Sequence, residues 1–151
     1  MSLLQFLKMV FNQLVLGVNV SSMRKYKKGV KTKLTKNFSS TEFDCKCKDP
    51  ECQWTAIDLD HVNKLQKKRD KWNKSITINS AFRCEKHNKA VGGATNSRHR
   101  VSDATDIQVK DMSPSEVADD CEDFDGLGRY NSFTHIDSRG SKARWDFSKK
   151  E

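Results

Sequence analysis

A histidine-bearing loop that runs straight into a strand-prone segment most restricts how this chain can fold. The stretch Ser97-Arg98-His99-Arg100-Val101-Ser102-Asp103-Ala104-Thr105-Asp106-Ile107-Gln108-Val109 places a histidine and an aspartate seven positions apart, and the aspartate opens an apolar, β-prone run. Neutral imidazole and carboxylate are both good Zn²⁺ ligands, and a catalytic zinc commonly takes three protein ligands plus a water. A loop at His99 entering a strand at Asp106 delivers two of them. The third must come from elsewhere, and Thr134-His135-Ile136-Asp137 is the obvious supplier. The plainer alternative is a surface histidine in a polar loop beside a strand-entry aspartate.

At 151 residues the chain fits one domain with a single modest core. The net charge of +8 favours an anionic partner: nucleic acid, anionic lipid or a bacterial wall with acidic polymers. Residues 1–22 are largely apolar but too interrupted for a membrane span. They read as an amphipathic helix, a weak signal-anchor, or sequence upstream of a start at Met23, and membrane contact through them is one expectation. Residues 24–36 form a basic run with the character of a solvated tail. The expected organisation is therefore an N-terminal extension over 1–34 and a folded domain over 35–148.

Five cysteines, Cys45, Cys47, Cys52, Cys84 and Cys121, cannot all pair within the chain. Cys45-x-Cys47-x4-Cys52 resembles a fragment of a zinc knuckle without the usual C-x2-C spacing. Reduced thiols or one local disulfide is the expected state there, with a structural metal as the alternative.

Within the domain, Ser39 or Ser40 can cap a short helical turn. Leu59, Val62, Leu65 and Trp72 fall on one helical face, predicting a helix over 58–72 with Asp58 as its cap and lysines on the solvated side. Ile76, Ile78 and Phe82 alternate with polar residues, predicting a half-buried strand over 75–83. A short helix over 84–90 ends in Gly92-Gly93. Ser113-Pro114-Ser115-Glu116 is a helix start, with the helix running to about residue 122. Short strands are predicted over 127–130, 133–137 and 143–147, the last two joined by a turn and so antiparallel. His61 and His87 read as ordinary surface or packing residues. Trp54, Trp72 and Trp145 read as core, or Trp145 as the border of a cleft.

Ser97-x-His99-x6-Asp106, preceded by Ser80-Ala81-Phe82-Arg83 and Asn88-x-x-Val91-Gly92-Gly93-Ala94, resembles the zinc peptidases that cut peptidoglycan peptides. These comprise D-alanyl-D-alanine carboxypeptidases, VanX- and VanY-type enzymes and phage L-alanyl-D-glutamate endolysins; hedgehog signalling domains share their fold. Residues 126–130 with Phe133-Thr134-His135-Ile136-Asp137-Ser138-Arg139-Gly140 are most similar to the C-terminal-domain subgroup of metallopeptidase family fifteen. The likeness covers about residues 35–147.

It implies an α+β fold, a small antiparallel sheet with helices on one face, and His99, Asp106 and His135 as Zn²⁺ ligands. It also implies a zinc-activated water attacking D-amino-acid-containing stem peptides of peptidoglycan. Arg83 matches an arginine that holds substrate or the oxyanion, and Ser97 a serine that contacts substrate. The expected enzyme is a monomeric carboxypeptidase or endopeptidase acting on the bacterial wall, in the periplasm or outside, with phage origin one source. A non-catalytic zinc protein of the same fold, binding the wall or built into a virion, is the rival. Specific nucleic-acid binding has only the basic run behind it.

Two departures from the family pattern stand out. Ser102 occupies a position that is usually glycine, and Ser132 one where many relatives carry a carboxylate base. Asp137, two residues beyond His135 on the same strand face, is the best substitute base. It can equally orient His135 or pair with Arg139, and Asp103 and Asp125 are weaker candidates.

Overall fold

The computed structural model describes residues 20–148, together with Leu4, Leu7, Lys8 and Phe11 ahead of them. The readings made for residues 1–22 therefore lie almost wholly outside the described residues. Among the described residues no helix is long and apolar enough to cross a membrane.

Strand β1 (Met23–Lys27) pairs antiparallel with β2 (Trp54–Asp58), forming a two-stranded sheet. The basic run therefore begins inside the fold, and the expected boundary near residue 35 moves towards the N-terminus. Charge along the run hid a strand in which Met23 is buried, Tyr26 half-buried and the three basic residues exposed. Asp58 then accepts a hydrogen bond from the Asp60 N–H and starts helix α1 (Leu59–Trp72), which ends on Asn73 in the left-handed region.

The second sheet has five strands in the order β3 (Ile76–Ser80), β4 (Ala104–Val109), β6 (Thr134–Asp137), β5 (Gly126–Arg129) and β7 (Ala143–Asp146). Helix α2 (Glu85–Ala90) lies between β3 and β4, and α3 (Pro114–Asp119) between β4 and β5. The α3 start is as predicted, with Ser113 and Glu116 forming a capping box around Pro114. The helix stops at Asp119, short of residue 122. The expected antiparallel pairing of the last two strands does not occur: β7 passes over β6 and pairs parallel with β5. The turn after Asp137 thus carries the chain across β5 to the sheet edge, and the sheet is mixed.

Alternation assigns the two faces of this sheet. Ile76, Ile78, Ile107, Val109, Leu127 and Ile136 point one way and form the core with Val62 and Leu65 of α1 and Val117 and Ala118 of α3. Each such buried aliphatic side chain contributes about 1.5–3 kcal/mol. Asp106 and His135 sit one residue out of phase with that set, on the opposite face. A register shift between Ile78 and Ser80 sets Ser80 across from Asp106, a bulge beside the functional residues.

Candidate metal centre

Asp106 and His135 are direct cross-strand partners on β4 and β6. His99 reaches them from the 3-10 turn Arg98–Val101, which ends on Ser102 at φ 71. That left-handed backbone explains why glycine suits position 102. The Ser102 hydroxyl is also buried without a hydrogen-bond partner.

The three side chains are 3–7% exposed, and their inner atoms converge. His99 Nε2 is 3.1 Å from Asp106 Oδ1 and 3.2 Å from His135 Nδ1, and His135 Nδ1 is 2.8 Å from Asp106 Oδ1. The outer ring nitrogens decide what stands inside. His99 Nδ1 lies 2.7 Å from the Ala81 carbonyl oxygen, which can only accept, so Nδ1 carries the hydrogen and Nε2 is a bare lone pair. His135 Nε2 lies 3.0 Å from the Asp137 carboxylate, so there too the inner Nδ1 is a lone pair. Two imidazole lone pairs and a carboxylate oxygen thus face one another. One proton can satisfy a single contact among them; a cation satisfies all three. Donors placed tetrahedrally at about 2.0–2.1 Å from zinc would stand about 3.3–3.4 Å apart, close to the spacing seen, so the residues present fit the metal.

Burial opposes ionisation of Asp106, but the adjoining His135 and His99 rings outweigh it and hold the carboxyl well below its usual range. Burial also lowers the proton affinity of His99. At His135 burial acts the same way but is overcome by Asp106 and Asp137, so its affinity is raised. Arg83 donates from Nη2 to the other oxygen of Asp106 (3.0 Å) and from Nε to Ser80 Oγ (2.9 Å), and its Nη1 faces Asn88 Oδ1 at 3.5 Å. Asn88 is itself buried, and a Cβ on Gly93 would come within 2.2 Å of its Oδ1. The second glycine of the pair therefore makes room for the residue that flanks Arg83. The first, Gly92, has φ +69 and turns the chain.

Asp137 is fully buried. Oδ1 accepts from the Arg139 N–H (3.3 Å) and Nε (2.8 Å); Oδ2 accepts from Arg139 Nη2 (2.5 Å) and His135 Nε2 (3.0 Å). The imidazole of His135 stands between this carboxylate and the donor cluster. Of the roles open to it in the sequence, orienting His135 and pairing with Arg139 are the ones these contacts describe. Asp103 is paired with Arg98, and Asp125 accepts from the Gly140 N–H. Ser132 is exposed, with its carbonyl accepting from Gln108. Ser97 precedes the His99 turn and its carbonyl accepts from the Arg100 N–H.

Position i+2 told of Asp137, but its space comes from β5. Gly126 is its cross-strand partner, and a Cβ there would lie 2.0 Å from Asp137 Oδ2. Gly128, opposite His135, likewise leaves room for Trp145, whose indole ring is 5.0 Å from the His135 ring. Trp145 donates to the Tyr130 hydroxyl (3.0 Å), and Tyr130 stacks on Phe133 at 4.3 Å. This aromatic ledge beside the centre was legible only as an undecided Trp145. His61 is a packing residue: it is buried and bridges Ser138 Oγ (2.8 Å) and Thr105 Oγ1 (3.0 Å).

The fold and site define an α+β domain with a two-histidine, one-carboxylate candidate metal centre on the sheet face opposite the main core. A family profile described as Peptidase M15 matches residues 36–137, which include His99, Asp106 and His135, and the chain belongs to that peptidase family. Comparison with curated proteins finds no match to the chain.

Proposed function

We propose that this protein is a zinc peptidase that hydrolyses stem peptides of peptidoglycan. The observation that carries the reading is the convergence of the inner atoms of His99, Asp106 and His135, with the outer nitrogen of each imidazole held by an acceptor, inside a domain of the peptidase M15 family. Zinc held by these three would supply a Lewis acid and an activated water at the scissile carbonyl. The chain's own residues prepare that centre. The Ala81 carbonyl and Asp137 lock the two tautomers, and Arg83 fixes Asp106 to one ligating oxygen while setting a permanent positive charge beside the reacting carbonyl. The Trp145–Tyr130–Phe133 ledge gives a flat apolar wall against which a short peptide can lie. The +8 net charge favours retention on an anionic wall.

A second reading, a zinc-bearing wall-binding or virion protein without turnover, is favoured by one observation. Around the centre, Asp106, Asp137 and Asp103 are all engaged by arginines, and position 132, where many relatives carry a carboxylate base, is serine. The test is incubation of zinc-loaded wild type and His99→Ala with purified muropeptides, read by mass spectrometry. Peptide-bond cleavage by wild type alone supports the peptidase and its product masses separate carboxypeptidase from endopeptidase. No cleavage of any fragment refutes it in favour of the binding protein.

A further inference from the structure

A second set of ligand-type side chains lies apart from the histidine centre. The sulfurs of Cys45, Cys47, Cys52 and Cys84 all lie within 4.8 Å of one another, and all four residues are reduced. Cys84 Sγ and Cys47 Sγ are 3.7 Å apart. A disulfide requires about 2.05 Å, whereas four thiolates placed tetrahedrally at about 2.3 Å from zinc stand about 3.8 Å from one another. Donors are aimed at three of the four sulfurs. Cys84 N–H points at Cys45 Sγ (3.4 Å), His87 N–H at Cys84 Sγ (3.4 Å), and the Lys28 ammonium lies 3.6 Å from Cys47 Sγ while donating to the Cys47 carbonyl at 2.7 Å.

Three of these cysteines come from a segment, residues 44–53, that forms no helix or strand. Its apolar support is small: Met23, Ala56 and Phe82 form a satellite cluster with Cys45, separate from the main core. The fourth cysteine, Cys84, directly follows Arg83 and caps α2. An irregular ten-residue loop with so little apolar contact needs another tie to stay packed, since ordering its backbone costs about 1–2 kcal/mol per residue.

We propose that Cys45, Cys47, Cys52 and Cys84 bind a second, structural zinc ion that pins the 44–53 loop to the segment after β3 that carries Arg83. Binding breaks four S–H bonds, forms four Zn–S bonds and releases four protons to solvent, leaving a complex of net charge −2 that the Lys28 ammonium offsets in part. All four positions are taken by the protein, so this ion has no place for water or substrate. The sequence showed three of the ligands at an unfamiliar spacing. The fourth arrives because the segment after β3 lies against the loop, with Phe82 beside Cys45 and the Cys84 N–H on Cys45 Sγ, which spacing cannot reveal.

The test uses the full chain produced under reducing conditions with zinc. Elemental analysis is expected to give about two zinc ions per chain, falling to about one in the His99→Ala/His135→Ala double variant. Cobalt replacing zinc in that variant should give the intense near-ultraviolet thiolate-to-metal charge-transfer band of a sulfur-bound ion. Thiol titration in wild type should find four cysteines protected until a chelator is added, and all five titratable in denaturant. The proposal is overturned if cobalt-loaded wild type lacks the thiolate band, or if the four thiols titrate freely without chelator. Recovery of Cys121 as the sole thiol in denaturant, meaning disulfides, overturns it equally. Because wild-type spectra and thiol counts suffice, misfolding of the variant leaves the test intact, and neither readout depends on peptidase activity.

Discussion

Replacing Asp137 with asparagine separates the two jobs a carboxylate at that position can perform. The isostere keeps the shape of a fully buried group but reverses a hydrogen bond. With its NH2 turned towards His135 Nε2, the asparagine donates there, which drives the imidazole hydrogen to Nδ1, the atom 2.8 Å from Asp106 and aimed at the candidate metal position. The alternative orientation keeps the ligand tautomer but weakens both the bond to His135 and the paired contact with Arg139. Either way a positioning residue behind a ligating histidine is lost, which typically costs about 10–100-fold in metal affinity, or about 1.4–2.7 kcal/mol. Competition against a chromophoric chelator measures that affinity directly. If Asp137 orients His135, Asp137→Asn binds zinc at least about 10-fold more weakly, and saturating zinc restores much of the hydrolysis of muropeptides. Unchanged zinc affinity combined with activity that excess zinc does not restore would refute this reasoning and return Asp137 to the role of general base.

The glycine opposite Asp137 offers an independent check, because a Cβ on Gly126 would lie 2.0 Å from its Oδ2. Gly126→Ala should lower zinc affinity by about 10-fold or more, whereas Gly128→Ala, which meets Trp145 instead, should chiefly perturb indole fluorescence and substrate KM; equal zinc affinities in wild type and Gly126→Ala would count against the packing argument. Ser102→Gly relieves a left-handed backbone at φ 71 and removes an unpartnered buried hydroxyl, so urea unfolding should show a gain of about 1 kcal/mol after the entropy of the added glycine. A loss of stability would show that the serine is tied down in some other way. Burial pushes the His61 ring down to about 3 from 6.5, so the unfolded chain takes up a proton that the folded chain refuses as pH falls below 6.5. That contribution to stability is intact above pH 6.5 and declines towards pH 3. The advantage of wild type over His61→Gln in urea unfolding should therefore shrink by about 2 kcal/mol between pH 6.5 and pH 5, and a constant difference would mean that His61 is protonated in the fold.

Local chemistry made several elements legible. The cap at Asp58, the Ser113-Pro114-Ser115-Glu116 start and the alternation of Ile76 and Ile78 each act within a few residues, and each element formed where its own signals lie. What escaped depends on long-range pairing. β1 carries Arg24, Lys25 and Lys27 and looks like a tail until its partner β2 is known, because an exposed edge strand can be charged throughout. The parallel placement of β7 beside β5 is equally invisible, since the turn over residues 138–141 is short enough for a hairpin and the chain uses it to cross over instead.

The candidate metal centre divides along the same line. His99 and Asp106 could be read together because one loop-to-strand segment carries both, and His135 could be added because its strand has the matching apolar alternation. Their state could not be read. Whether an imidazole presents a lone pair or an N–H inward depends on what its other nitrogen meets. Those partners are a carbonyl at Ala81 and a carboxylate at Asp137, one of them 18 residues away in sequence. Asp137 in turn can occupy its place because Gly126, its cross-strand partner, has no side chain. A chain of three dependencies, from glycine to carboxylate to tautomer, therefore stands between the ligand spacing and a working centre. Each link is a cross-strand or through-space contact, so substitutions at Gly126, which touches no ligand directly in sequence, are expected to weaken the metal site as surely as changes to the ligands' own neighbours.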